Sequence, residues 1–157
     1  MYSLINTSRA NVAVLQITKC GSQTLVFAEY TNSESPEGME KFAFIRDPID
    51  RLVSFYSFQR QFDYFPSNMP ERLTWAEFID WVLEGDDLDE HIHPMSKFIT
   101  ENPVDRIYHL SQMTAVLGLQ CERQHVTEKI SVDTSYRIDE LKVKYEKDYQ
   151  LLNGMVW

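Results

Sequence analysis

The chain has 157 residues, of which 43% are hydrophobic and 25% are charged, and this length and composition predict one compact domain spanning residues 1–157. Its 24 acidic and 15 basic residues give a formal net charge of −9, which excludes the broad basic face that nucleic-acid binding requires. An anionic ligand can still be held locally by a few well-placed cations.

The N-terminal segment predicts no targeting signal, because it lacks a basic region followed by a long apolar core. No stretch approaches the run of about 18 apolar residues that predicts a membrane span. Cys20 and Cys121 are too few for a disulfide framework and fit a reducing compartment. We therefore expect a cytoplasmic protein without a transmembrane segment.

The first predicted element is a short apolar strand at residues 12–17, which leads into a loop of small and polar residues that contains Lys19. A helix is predicted to follow at about residues 22–30. A strand, such a loop and a helix form an arrangement that binds phosphate-like anions, because loop N–H groups and the helix N-terminus favour negative charge. The same pattern also fits an ordinary strand, turn and helix with a solvent-facing lysine.

A second strand is predicted at residues 41–45, after a polar segment that starts at residue 31 and is predicted to be a surface loop. Asp47 then provides a helix N-cap and Pro48 fits the first helical position, so a helix is predicted to run to about Gln61. This helix carries one apolar stripe with helical spacing, formed by Ile49, Leu52, Val53 and Tyr56.

Arg46 lies at the predicted carboxyl end of this second strand, where ligands bind in open α/β sheets. Ser54 lies two turns into the following helix and off its apolar stripe. The simpler alternative is that Arg46 pairs only with Asp47 or Asp50 and that Ser54 is tolerated at its position.

The rest of the chain continues the alternation of helices and strands. Thr74 and Glu77 form the pattern of a capping box for a helix predicted to end near Glu84. The later predicted elements are a strand at residues 105–110, a helix at residues 111–117 closed by Gly118, and one or two helices from residue 135 onward. Strands that alternate with helices predict an α/β fold with a mostly parallel sheet.

Two segments together resemble the sulfotransferases that use 3′-phosphoadenosine 5′-phosphosulfate (PAPS), and most of all their carbohydrate branch, which includes heparan sulfate 2-O- and chondroitin sulfotransferases. Residues 17–25 (ITKCGSQTL) resemble the family's 5′-phosphosulfate loop, and residues 44–56 (FIRDPIDRLVSFY) resemble its 3′-phosphate element. The resemblance implies a P-loop-like, three-layer α/β fold with a short, mostly parallel central sheet flanked by helices. It also implies sulfuryl transfer to a hydroxyl group, with adenosine 3′,5′-bisphosphate as the product and no metal.

The same resemblance assigns site residues. Arg46 and Ser54 fall on the two positions that hold the 3′-phosphate, and the 5′ loop corresponds to Lys19, Cys20, Gly21, Ser22, Gln23 and Thr24. Lys19 is expected to stabilise the charge that develops on the leaving phosphate. Thr18 stands where the family usually has proline and Gln23 where it has a hydroxyl residue, and both leave a backbone cradle possible. The family's basic and hydroxyl segment corresponds only loosely to residues 125–129.

The catalytic base is expected from a histidine outside the gap between the two phosphate elements, because that gap is short and contains no histidine. Residues 91–94 resemble a histidine-containing segment before a proline in the family, and this resemblance favours His91, with His93 as the second candidate, although both can also be structural. His109 is expected to have a role in the core or at a helix start.

Two other functions remain open at this stage: a small P-loop-like kinase, and a non-catalytic nucleotide-binding relative that has lost its base. The kinase is disfavoured because the chain lacks a lysine–hydroxyl pair at the helix start. The acidic segment at residues 85–90 and the nearby aromatic residues predict a neutral sugar or glycan acceptor.

Overall fold

A computed structural model describes residues 2–6, 11–20, 31–33, 37–67, 69–85, 89–118 and 128–155. Its centre is a five-stranded sheet in the order β3-β1-β2-β4-β5. The strands are β1 (Tyr2–Asn6), β2 (Asn11–Leu15), β3 (Thr31–Ser33), β4 (Glu40–Ile45) and β5 (Arg106–His109). The helices are α1 (Pro48–Phe62), α2 (Trp75–Glu84), α3 (Met95–Glu101), α4 (Met113–Leu117), α5 (Ile138–Lys144) and α6 (Glu146–Asn153).

The parallel part of the sheet is formed by β2, β4 and β5, as the alternation of strands and helices predicts. In the β2–β4 ladder Leu15 pairs with Ala43, so the carboxyl ends of the two strands lie side by side. The residues that follow these strands, which include Lys19 and Arg46, therefore meet at the same edge of the sheet.

The other two strands extend the sheet in an antiparallel sense and were not predicted. β1 pairs along its whole length with β2, and β3 pairs with the far side of β1. The prediction of a surface loop from residue 31 was therefore wrong for Thr31–Ser33. This segment has no apolar residue to mark it as a strand, and its place in the sheet comes from backbone pairing with β1.

Helix α1 begins and ends as its sequence indicates. The Asp47 side chain accepts a hydrogen bond from the Asp50 N–H at 2.9 Å, which satisfies one of the unpaired amides at the helix start. Asp63 ends the helix in a left-handed conformation, with φ of 50°. The predicted stripe is buried: Ile49, Leu52, Val53 and Tyr56 are each at most 8% exposed.

The other predicted elements agree with the structure in position and differ in detail. Thr74 and Glu77 form both hydrogen bonds of the capping box at the start of α2. The helix predicted from Ser111 begins instead as a 3₁₀ helix at Leu110–Gln112, because the His109 side chain caps that turn, and Gly118 closes α4 with a positive φ of 62°. His109 thus has the helix-start role expected of it. The first predicted helix, at about residues 22–30, lies outside the described residues.

Helices cover both faces of the sheet, which gives the three layers that were predicted. Alternate residues of β2 and β4 point to opposite faces. Ala13, Leu15 and Ile45 pack with Met95 and Leu152 on one face. The other face packs against α4 through Val12, Val14, Phe42, Phe44, Met113 and Leu117. Within the described ranges no helix is both long and apolar enough to cross a lipid bilayer.

Candidate functional site

Lys19 and Arg46, two cations singled out in the sequence, lie together beyond the ends of β2 and β4. The chain turns sharply after β2, where the Cys20 N–H donates to the Ile17 carbonyl at 3.0 Å. Lys19 lies within this turn and has a φ of 60°, a left-handed conformation that few residues other than glycine adopt. Arg46 Nη1 donates to the Lys19 carbonyl at 3.4 Å, so the side chain that follows β4 contacts the turn that follows β2.

The environment of the Lys19 amino group lowers its pKa. Its Nζ lies 4.0 Å from the centroid of the Phe58 ring, a cation–π contact that covers part of the ammonium group. Burial, with a further contribution from the positive charge of Arg46, lowers the pKa of Lys19 to about 8. The lysine is therefore mainly protonated at neutral pH, and a nearby anion would hold it in that form.

The Cys20 side chain points into the core rather than toward the two cations. Its thiol is buried, lies 3.4 Å from the Met95 sulfur, and has a pKa that burial raises to about 11. Any contact of Cys20 with a ligand is thus limited to its backbone. Gly21, Ser22, Gln23 and Thr24 lie outside the described residues, so their assigned contacts stay predictions.

Asp50 contacts both Arg46 and a third cation, Lys129. Its carboxylate lies 3.4 Å from Arg46 Nη2 and 3.1 Å from Lys129 Nζ. Burial alone would raise the pKa of Asp50, but Lys129 and Arg46 outweigh burial and hold that pKa below its ordinary value. Lys129 was left unassigned in the sequence. Ser54 follows Asp50 by four residues in α1, which puts it one turn further along the same helix face.

A row of aromatic rings begins at Lys19 and ends at a histidine. The Phe58 ring, which contacts Lys19, lies 4.9 Å from Phe62 and 5.7 Å from Tyr64 between centroids. Tyr64 lies 5.8 Å from the His91 ring. Phe62 is 54% exposed and Tyr64 is 42% exposed, although large apolar side chains are usually covered. We call Phe58, Phe62, Tyr64 and His91 the aromatic row.

The two histidine candidates have different surroundings. His91 Nδ1 lies 2.7 Å from Asp89, and its ring stacks on Phe55 with centroids 4.4 Å apart. Burial would raise the pKa of Asp89, but the contacts with His91 lower it, so Asp89 is a carboxylate that accepts from Nδ1–H. His93 instead has a buried Nε2 and a ring 6.2 Å from Phe98. Of the two, His91 is the one in the aromatic row.

Arg51 is a buried charged residue that sequence reasoning missed. It lies in α1 and is 1% exposed. Its guanidinium donates to Thr18, Glu90 and His93, and thus joins the turn that carries Lys19 to the segment that carries His91. No sequence signal indicates these contacts, because most of the acceptors are backbone carbonyls that any residue supplies.

Comparisons with known proteins identify one family. A family model described as the sulfotransferase family matches residues 27–149, a range that includes Arg46, Ser54 and both histidine candidates and begins after Lys19. No curated protein and no solved structure matches the chain. Among the described residues, no group of three or more His, Cys, Asp or Glu side chains is arranged to hold a metal ion. The match covers most of the sequence, and the chain belongs to the sulfotransferase family.

Proposed function

We propose that this protein transfers a sulfuryl group from PAPS to a hydroxyl acceptor and releases adenosine 3′,5′-bisphosphate. The observation that carries the proposal is the contact between Lys19 and Arg46 beyond two adjacent parallel strands. Lys129 adds a third positive charge through Asp50. In a chain with a net charge of −9, such a local cluster of cations fits a nucleotide that carries two separate anionic groups.

Arg46 and Lys19 have distinct roles in this proposal. Arg46 and the Ser54 hydroxyl bind the 3′-phosphate, while residues 21–24 contribute backbone and hydroxyl donors to the 5′ side. Bound PAPS supplies an activated sulfuryl group. Lys19 stabilises the negative charge that builds on the phosphate oxygen as the sulfuryl group leaves, which is the role of a preorganised electrostatic donor. No metal takes part in these roles.

His91 is the base in this proposal. Asp89 accepts from its Nδ1–H, so the ring keeps its Nε2 lone pair and can take the proton of the acceptor hydroxyl there. Asp89 also stabilises the imidazolium that results, as the carboxylate does in a catalytic triad. His93 is the second choice, because its ring packs near Phe98 and its Nε2 is buried.

The acceptor proposed is a neutral sugar or glycan. Tyr64 offers exposed ring surface between Phe58 and His91, and Phe62 adds exposed ring surface beside Phe58. Such surface suits the apolar face of a sugar ring. Asp89 and Glu90 add negative charge near Tyr64, which disfavours an anionic acceptor. A reducing, cytoplasmic setting is also part of the proposal and is supported by the free, buried thiol of Cys20.

The test is an assay of the purified chain with sulfur-labelled PAPS, a panel of neutral sugars and small alcohols, and a metal chelator. Labelled product that forms in the presence of the chelator, together with calorimetric binding of adenosine 3′,5′-bisphosphate, supports the proposal. Binding of this nucleotide without turnover of any acceptor supports the non-catalytic alternative instead. Metal-dependent phosphorylation of a sugar with ATP would show that the chain is a kinase.

A further inference from the structure

We propose that Arg51 is a positioning residue that fixes the Lys19 turn against the histidine segment, Asp89–His93, and so sets the distance between the donor and acceptor sides of the site. This inference rests on the proposed sulfuryl transfer, because the two sides have distinct roles only in such a reaction. Arg51 itself is enclosed by protein and is not proposed to contact either substrate.

The evidence begins with the hydrogen bonds of the guanidinium. Nε donates to the Thr18 carbonyl at 2.9 Å, and Nη2 donates to the Thr18 hydroxyl at 2.9 Å. Nη2 also donates to the Glu90 carbonyl at 3.1 Å, and Nη1 donates to the His93 carbonyl at 2.6 Å. One rigid, planar guanidinium thus binds the carbonyl and the hydroxyl of Thr18 and two backbone carbonyls of the histidine segment.

The acceptors of Arg51 indicate that the buried charge at this position supplies fixed hydrogen-bond geometry. The four hydrogen bonds go to three carbonyls and one hydroxyl, and none of them goes to a carboxylate. A buried charge without an opposite charge as its direct partner is costly. An apolar side chain of similar size would avoid that cost but would leave the three carbonyls and the hydroxyl without this donor. The arginine supplies what such a side chain cannot, namely fixed directions for several hydrogen bonds.

Thr18 also connects the Lys19 turn directly to the histidine segment. Besides accepting from Arg51, its hydroxyl donates to the Glu90 carbonyl at 3.1 Å. Lys19 is the next residue, and its unusual φ of 60° makes the direction of its side chain depend on how firmly the turn is held. The position of Lys19 relative to His91 is therefore set by Thr18 and Arg51 together.

The test uses Arg51→Lys, Thr18→Val and a control, Leu117→Ala. Arg51→Lys keeps the charge but lacks the planar fork, and Thr18→Val keeps the shape and the carbonyl but lacks the hydroxyl. Leu117 is buried on the opposite face of the sheet, in a cluster with Val14, Phe44 and Met113 that includes no residue of the Lys19 turn or of the histidine segment, so its truncation lowers stability away from the site. Each variant is measured for turnover, for binding of adenosine 3′,5′-bisphosphate by calorimetry, and for titration of the Lys19 amino group by NMR.

We expect the site variants to lose turnover while they keep their affinity for the nucleotide. Arg51→Lys should lower kcat by about tenfold or more, because small displacements of reacting groups are costly, while nucleotide affinity changes by less than about threefold. The pKa of Lys19 should rise from about 8 toward the ordinary lysine value as the turn loosens and the group becomes hydrated. Thr18→Val should change both quantities in the same direction but less, and Leu117→Ala should change neither at temperatures where it is folded.

Two results would overturn the proposal: a Lys19 pKa that stays near about 8 in both site variants, or losses of turnover and affinity that Leu117→Ala reproduces. If Arg51→Lys does not fold, Thr18→Val decides alone. If the wild-type chain transfers no sulfuryl group, the proposed function fails, and the NMR titration still shows whether Arg51 holds the Lys19 turn.

Discussion

Among single residues, Lys19 shows how a local environment sets the working pH range of a group. Burial and the neighbouring Arg46 lower the pKa of Lys19 to about 8, so the protonated form exists below that pH and is lost as the pH rises through it. The proposed role needs the protonated form. We therefore predict that kcat/KM for the donor falls above about pH 8, since this parameter reports ionisations of the free enzyme.

The same experiment has an internal check and a control. The negative charge of the bound donor favours protonated lysine, so the fall in kcat should occur at a higher pH than the fall in kcat/KM. Lys19→Arg, whose guanidinium stays charged, should lose the alkaline fall even if its rates are lower. A wild-type profile of kcat/KM that stays level to pH values typical of free lysine would contradict the role given to Lys19.

Arg46 is expected to contribute mainly to binding. A charge-assisted hydrogen bond contributes about 1.5–3 kcal/mol, so Arg46→Ala should weaken binding of adenosine 3′,5′-bisphosphate by roughly tenfold or more. Arg60→Ala is a matched control, because Arg60 lies near the end of the same helix and contacts Tyr56 and Leu73. Calorimetry that gives the same affinity for Arg46→Ala and the wild-type chain would remove Arg46 from the nucleotide site.

His91 is expected to act on the acceptor and not on the nucleotide. His91→Ala should abolish sulfation, because the acceptor proton then has no base, and should leave the calorimetric affinity for adenosine 3′,5′-bisphosphate unchanged. His93→Ala is the comparison variant, and we expect it to retain measurable turnover because its ring lies near Phe98 rather than in the aromatic row. If only His93→Ala abolishes turnover, the assignment of the base is reversed.

At the scale of secondary-structure elements, α6 and the residue before it bind the start of α3 and the histidine segment. Asp148 of α6 is fully buried and accepts hydrogen bonds from the Met95 and Ser96 N–H groups, both at 2.8 Å, where α3 begins. Tyr145, just before α6, donates to the Ile92 carbonyl at 2.7 Å. The segment between α2 and α3 is thus fixed by Arg51 on one side and by the C-terminal region on the other.

Loss of this anchor should affect stability. Asp148→Asn replaces one acceptor by an amide that faces an N–H donor, so we expect the free energy of unfolding to fall by about 1.5–3 kcal/mol. Asp139→Asn is the matched control, since Asp139 lies exposed in the first turn of α5, and its stability should stay close to that of the wild-type chain. Denaturant unfolding curves that coincide for the two variants would show that the Asp148 contacts contribute little.

The elements themselves were largely predictable because their signals are local. The strand before Arg46, the cap at Asp47 and the capping box at Thr74 each depend on a few adjacent residues. The strand at Thr31–Ser33 was not predictable, since its polar sequence resembles a loop and only pairing with β1 orders it. Local sequence signals therefore identify elements that are stabilised by contacts between neighbouring residues. They miss elements that depend on pairing with a segment far away in the sequence.

The candidate site shows the same division. Lys19 and Arg46 were identified because each lies at the end of a recognisable strand. Arg51 was missed because its acceptors, three carbonyls and one hydroxyl, belong to segments 33 to 42 residues away in the chain. Lys129 could not be placed because it meets Asp50 across 79 residues and no local pattern records that contact.

For the molecule as a whole, the distribution of charge limits the choice of acceptor. The chain carries a net charge of −9, and the cations of the site are engaged around Asp50 and the Lys19 turn. An enzyme that modifies a highly sulfated polymer needs a long cationic groove, whose attraction salt screens. Asp89 and Glu90 instead place negative charge beside the aromatic row.

We therefore predict that neutral oligosaccharides are sulfated at least about tenfold faster than a heparan-like polymer at physiological ionic strength, where the Debye length is about 8 Å and only local charges act. Added salt should change the rate with the neutral acceptor little. Phe62→Ala should raise KM for that acceptor and leave nucleotide affinity unchanged, because Phe62 is an exposed ring of the aromatic row. Val143→Ala serves as the control, since Val143 is the more exposed of the two at 75% and lies in α5. Rapid sulfation of a heavily charged glycosaminoglycan, with a rate that falls steeply as salt is added, would mean that the acceptor binds through cations and not through these rings.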